Sequence, residues 1–345
     1  MTRRGIATLM ALAAALATGL LAGCGVAATA HATATATVTT ATTGTQTSTY
    51  TQPPVKIDPS TTTIPADQLP GHGRPPVQLG DMNTPEQFIL GALYGVALSQ
   101  AGYTVDPTRN IGVPSLPQAA LKQGTLDIYP QYLNVWNTQV AHLKTRFITV
   151  AGAYRAASAY AKRHGFELLT PTPFSNTTGF AVTTQFARED HVTSLADLSR
   201  APRLTFGIPL GLSGMAEAER IYGFKPAYVQ TVDIGSQYGW LDSGNVQVAY
   251  VSTTDPELAQ HTYTLLSDPK HVFGFNNVVP VTTPAVIKAE GPAFVRIIDQ
   301  IDALLTTSAM RGLNQEIEGH DSTSIAEQFL QGNGLLPPSK YSTTS

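Results

Sequence analysis

The stretch "AALKQGTLDIYPQYLNVW", Ala119 to Trp136, runs from a short helical segment through Gly124 into an apolar strand rich in aromatic residues. Helix, glycine stop and strand in that order form the repeating unit of α/β proteins. Aromatic residues make up only 8% of the chain, yet Tyr129, Tyr132 and Trp136 all fall in this one stretch. The carboxyl end of a strand in an α/β sheet borders the crevice where ligands bind. Tyr132 therefore stands where a ring can meet a ligand, while Tyr129 and Trp136 need no role beyond packing.

The same alternation continues in both directions. Upstream, "PPVQLGD" reads as a strand, followed by a helix with Thr84 as N-cap, Pro85 at its first position and Gly102 as its stop. Downstream, "RFITVAGAYRAASAYAKRHG" reads as a helix, "FELLTPTPF" and "TGFAVTT" as strands, "SLADLSRA" as a short helix and "RLTFGIP" as a strand. "GMAEAERIYG", "AYVQTV", "QYGWLDSG" and "VQVAYVS" then read as helix, strand, helical turn and strand. The C-terminal stretch from Thr283 to Leu336 is nearly all helical, broken at Gly291-Pro292 and Gly319. The pattern predicts an α/β protein built on mostly parallel sheets. A length of 345 residues suggests two domains of ordinary size.

The N-terminus has a different composition. Arg3 and Arg4 precede an apolar run from Ile6 to Leu21, the layout of a secretory signal peptide covering residues 1–23. Leu21-Ala22-Gly23-Cys24 resembles the bacterial lipobox, which makes Cys24, the only cysteine in the chain, the expected lipidation site. Residues 24–76 are dominated by threonine, alanine and proline, too poor in large apolar side chains to bury a core, and read as a disordered tether. The chain is thus expected outside the cytoplasm, held to the membrane by N-terminal lipid.

No catalytic constellation appears. The lone cysteine is taken by the lipobox, and the eight histidines form no HxH or HExxH pair. Gly211-Leu212-Ser213 lacks the second glycine of a nucleophile elbow, because Met215 stands there. "GIPLGLSG" lacks the lysine of a phosphate loop. A net charge of -3 gives no basic footprint for nucleic acid. The expectation is a binding protein rather than an enzyme, with no metal and no cofactor.

In order, "LGDMNTPEQFILG", "AALKQGTLDIYPQYLNVW", "FSNTTGFAV", "DIGSQYGWLDSGNVQVAYVSTTD", "DPKHVFGFNNVVPVTTPAVI" and "AMRGLNQEIEGHDSTSIAEQFLQGNGLL" resemble segments of one family: the substrate-binding proteins of osmoprotectant ABC importers for glycine betaine, choline and carnitine. The resemblance runs from about Leu79 to Leu336. It implies a two-lobed, type II periplasmic-binding-protein fold with hinge strands, lobe I being 77–174 plus 277–345 and lobe II 175–276. It also implies a ligand held between the lobes and an ABC permease in the membrane as partner.

A quaternary ammonium has no N–H donor and is best held by aromatic faces. By the resemblance, two cage tyrosines fall at Tyr132 and Tyr250, the third at Thr178 and the fourth at Asn276, with Phe275 beside it as a substitute ring. The polar residue of the second lobe is kept as Asn176. The lysine of the opening block falls at Met82, next to Asp81, and its phenylalanine at Thr84. The segment that carries an arginine in the family is shortened here to "GIPLGLSGMAEAE", without arginine. Lysine and arginine are the groups suited to a carboxylate. Two readings stay open: a ligand without a carboxylate, such as choline, with Asp81 or Asn176 taking its hydroxyl, or a pocket rebuilt for another small polar solute around Thr178, Ser213 and Asn276. A membrane-anchored sensor on the same fold is the rival from another class. Trp136, Tyr238 and Trp240 are weaker candidates, the last two read as core.

Overall fold

A computed structural model describes residues 64–337, apart from 110, 113–115, 202, 212–213 and 318. The signal segment, Cys24 and the tether as far as residue 63 lie outside the described residues, as does Ser213. Residues 64–76, read from composition as the end of the tether, instead dock on the fold. Ala66–Gln68 form a 3-10 turn, Gly71 N donates to Ala101 O at 2.9 Å and Arg74 to Ala289 O at 2.8 Å. Leu69 is the anchor: Gly102 has φ +87°, and a Cβ there would lie 2.7 Å from the Leu69 Cβ, so only glycine permits the approach.

The strands are β1 (Val77–Gly80), β2 (Val105–Thr108), β3 (Tyr129–Tyr132), β4 (Glu167–Leu168), β5 (Thr178–Thr183), β6 (Thr205–Pro209), β7 (Tyr228–Val232), β8 (Val248–Ser252), β9 (Tyr263–Leu265) and β10 (Val278–Thr282). The helices are α1 (Pro85–Gln100), α2 (Leu116–Gln123), α3 (Leu133–Val135), α4 (Val150–Arg163), α5 (Thr184–Glu189), α6 (Met215–Tyr222), α7 (Gln237–Asp242), α8 (Pro284–Glu290), α9 (Pro292–Leu304), α10 (Thr307–Glu316) and α11 (Ser322–Gly332). Thr84 caps α1 as expected, accepting from Gln87 N at 3.4 Å. "FELLTPTPF" forms a strand only over Glu167–Leu168, since Pro171 and Pro173 lack the donor a ladder needs. "SLADLSRA" shortens to a 3-10 turn, Asp197–Ser199.

The strands fall into two groups. In the first, β1 pairs with β2 in parallel, an isolated parallel bridge joins Leu79 to Ile128, and the order β3-β10-β4 is antiparallel. In the second the order is β7-β6-β8-β5-β9, with β6 parallel to β7 and β8 but β5 antiparallel to β8 and β9. The sheets are therefore mixed, not mostly parallel. The reason is topological: β5 and β10 are entered after the chain passes from one group to the other, and both run against neighbours reached by ordinary crossover connections.

Each group has its own core. In the first, α1 places Ile89, Leu90, Leu93 and Leu98 against β1 and against Phe294, Ile298 and Ile301, which recur at helical spacing on α9. Also there, fully buried Trp136 meets Tyr160 and Phe166 edge-on, and Tyr129 is buried beside it. Both therefore pack as the sequence suggested. In the second, Phe206 and Phe224 stack and Phe180 meets both edge-on, while Tyr238 and Trp240 pack with Leu241 in a smaller cluster. No helix among the described residues is long and apolar enough to cross a membrane.

Candidate functional site

The chain passes between the two groups at 169–177 and again at 266–277, and these passages are laced together. Ser175 and Asn277 form an isolated antiparallel bridge. Asn176 N donates to Asn276 O at 3.2 Å, and Asn276 returns with Nδ2 to Asn176 O at 2.6 Å and N to Ser175 Oγ at 2.9 Å. A third link comes from α10, where Arg311 Nε donates to Thr253 O at 2.9 Å and Asn314 Nδ2 to Thr254 O at 3.0 Å.

Beside these links lies a cavity of about 310 Å³ whose wall includes Asn176, Thr178, Tyr250, Ser252, Phe273 and Asn276. Fully buried Phe180 is the post behind it. The rings of Tyr250 and Phe273 lean edge-on against Phe180 at 5.8 and 5.7 Å, which fixes two aromatic rings on the wall. Thr178 Oγ1 and the Tyr250 hydroxyl share a 2.6 Å hydrogen bond, so Thr178 orients that hydroxyl. Burial pushes the Tyr250 phenol above its ordinary range, against the Thr178 bond, which keeps the hydroxyl protonated. The one charged side chain on the wall is Asp255, which accepts from Ser252 N and Tyr238 Oη, both at 3.0 Å. Burial raises its pKa, and those hydrogen bonds oppose the rise.

Behind the wall sits a carboxylate that the sequence reading passed over. Glu86, at the start of α1, is 5% exposed. It accepts from Tyr132 Oη at 2.6 Å, Asn176 Nδ2 at 3.0 Å and Asn314 Nδ2 at 3.2 Å. Ser252 Oγ completes the chain by donating to Asn176 Oδ1 at 2.5 Å. Burial and the Glu86 charge both push the Tyr132 phenol well up. Glu86 thus joins α1, β3, α10 and the first passage.

The structure brings Asn176, Thr178, Tyr250 and Asn276 together on the cavity wall. Tyr132 stands one hydrogen bond back, through Glu86. Three candidates lie elsewhere. Met82 packs on the core around Trp136. Asp81 is engaged by Asn83 N at 3.1 Å and by Arg109 at 3.6 Å. It lines a separate cavity of about 430 Å³ formed only by residues 79–109 of the first group together with α11. Phe275 packs on the same core as Met82, with its ring 4.8 Å from His271, and Phe273 lines the cavity instead. Both His271 and Gly274 have positive φ, so the turn between them scrambles any alternation from which the facing ring could be read. Glu86 was hidden for another reason: a glutamate in the first turn of a helix reads as a dipole partner. Among the described residues no cluster suited to a metal ion occurs.

Residues 75–332 match the family described as "Substrate binding domain of ABC-type glycine betaine transport system". The chain belongs to this family. It is a transporter substrate-binding protein and not an enzyme, and proteins of this kind work outside the cytoplasm. It is 29% identical over 281 residues to the glycine-betaine-binding protein of Pseudomonas aeruginosa, covering 75% of this chain and 88% of that one. It is 26% identical over 307 residues to the glycine betaine-binding protein YehZ of Escherichia coli, covering 80% and 96%. The fold superimposes on a crystal structure titled glycine betaine/carnitine/choline ABC transporter with a TM-score of 0.69 and 22% identity, over 75% of this chain and 99% of that one. The two-lobed type II binding-protein fold expected from sequence is therefore the fold of this chain.

Proposed function

We propose that this protein captures a quaternary amine of the choline or glycine betaine type between lobe I (77–174 plus 277–345) and lobe II (175–276) and delivers it to an ABC permease. Cys24, lipidated, would hold it to the membrane's outer face. The observation that carries this reading is the pair of rings, Tyr250 and Phe273, fixed by Phe180 on the wall of a cavity whose single charged group is a carboxylate. Aromatic faces attract a diffuse cation with about 0.5 to 2 kcal/mol each, more as water is excluded. Asn176 and Ser252 supply neutral partners for a hydroxyl. Closure around the ligand would bend the two laced passages, and ligand shifts that equilibrium by preferring the closed state.

The test is a thermal-shift and calorimetric screen of the folded part against choline, glycine betaine, carnitine and neutral sugars. Saturation at a hundredfold excess over Kd stabilises by about 2.7 kcal/mol. A shift by at least one quaternary amine and none by sugars supports the reading, and the reverse pattern rejects it. Tyr250→Ala should weaken amine binding at least tenfold, about 1.4 kcal/mol. Tyr250→Phe keeps the ring, loses the Thr178 bond, and should bind within a few-fold of the parent. Equal affinity in all three proteins would make Tyr250 a scaffold residue.

A further inference from the structure

The cavity that holds Tyr250 and Phe273 has no lysine or arginine on its wall, so the carboxylate of a zwitterion has no counter-charge there. A second cavity, of about 100 Å³, opens beside it and shares two residues with it, Asn134 and Phe273. Its wall includes Arg146, the only lysine or arginine that lines either cavity among the described residues. Arg146 belongs to the loop before α4, in the first group of elements. It makes no ion pair within 4 Å among the described residues, and its side chain is exposed. Its charge nevertheless reaches the second group. Glu217 on α6 is held below the usual carboxylate range first by its hydrogen bond from Arg220 and further by the field of Arg146. Val272 and Phe273, which pack on the core of the second group, line the same small cavity, so the guanidinium borders the space between the two groups.

Two further features of the small cavity bear on its occupant. Ala153, in the first turn of the fourteen-residue α4, lies on its wall, so the positive end of a helix dipole borders it. Asn137 also lines it: Nδ2 is spent on Ala153 O at 3.2 Å, and Oδ1 is buried without a partner. A hydroxyl on the solute would find an acceptor there.

We propose that Arg146 is the specificity-determining residue for the carboxylate of a zwitterionic quaternary amine, whose ammonium lies against Tyr250 and Phe273 while its anionic end enters the Arg146 cavity. This rests on the quaternary-amine reading above. A guanidinium suits the task because its planar fork pairs with a carboxylate in two parallel bonds. Choline, which has no carboxylate, does not use this contact. The cation missing from the chain's opening block and from its shortened loop is thus supplied from a third place, reached only through the fold.

The experiment is calorimetric titration of the parent, Arg146→Ala and Arg146→Lys with carnitine, glycine betaine and choline, with thermal melting of each variant to confirm folding. Arg146→Ala is expected to lower the ratio of carnitine to choline affinity at least tenfold, and Arg146→Lys to recover part of it. An unchanged ratio would overturn the proposal while leaving quaternary-amine capture intact. So would a parent protein that binds choline but neither zwitterion. A parent that binds none of the three would reject the amine reading and this proposal with it.

Discussion

Replacing Asp302 by asparagine is expected to raise the stability of the fold at pH 8 and to leave it nearly unchanged near pH 4. Asp302 lies on α9 in the core of the first group and is 0% exposed. Tyr94 Oη donates to its Oδ1 at 2.5 Å, while its Oδ2 is buried with no partner. Burial pushes its carboxyl well above the usual range, Asp299 adds to the rise and the Tyr94 bond opposes it. A raised folded-state pKa means that the folded chain holds its proton where the unfolded chain has released it. Stability is then full below about pH 4, where both states are protonated, and falls as pH rises toward the folded-state value. Each pH unit of that window costs about 1.4 kcal/mol. Asparagine has no proton to lose, so its stability lacks this slope, and urea unfolding of both proteins at pH 4, 6 and 8 measures the divergence. Parallel profiles would show that folding does not raise the Asp302 pKa. Tyr94→Phe moves the other way, leaving Oδ1 bare at a cost of about 1 to 3 kcal/mol.

Asp302 also illustrates what a sequence withholds. In "FVRIIDQIDALL" it falls among apolar residues at helical spacing, and the pattern alone does not tell a solvated aspartate from a buried one. The elements themselves were legible because their signals are local: the Thr84-Pro85 start of α1, the glycine stops, the strand that ends at Tyr132. Sheet direction was less so, since β5 and β10 take theirs from passages between the groups, and no local pattern encodes that. The site divides in the same way. Asn176 lies in the first passage and Tyr250 in the middle of β8, and both could be named because the segments around them resemble the family's. Phe273, Glu86 and Arg146 owe their places to a turn, a buried helix start and a loop 104 positions before Tyr250, all set by tertiary packing. The polar run before Pro76 docks through few contacts that composition does not reveal: Leu69 against a glycine with positive φ, and the hydrogen bonds of Gly71 and Arg74.

Glu86→Gln is expected to cost the protein both ligand affinity and stability, and the balance between the two reports what the carboxylate does. Glu86 accepts three side-chain donors on its two oxygens, from Tyr132, Asn176 and Asn314. An ionised carboxylate has only acceptor sites, so it can serve all of them, whereas glutamine turns one oxygen into an NH2 that must face a donor. Hydrogen bonds to charged groups are worth about 1.5 to 3 kcal/mol, and a donor left unpaired in a buried site costs about as much. The variant should therefore lose about 2 kcal/mol of stability, read as a lower urea midpoint. Asn176 lies on the cavity wall and is oriented by this bond and by Ser252, so its displacement should also weaken amine binding at least tenfold. The negative charge matters separately, because a cationic ligand gains from a carboxylate just behind the wall in a medium of reduced dielectric. Asn314→Ala removes one donor while keeping the charge, so it should lower stability with little change in affinity. If both variants lose affinity equally, the hub acts through geometry alone. If Glu86→Gln binds like the parent, the carboxylate merely braces α1 against β3 and α10, and the ligand's positive charge is met by Tyr250, Phe273 and Asp255.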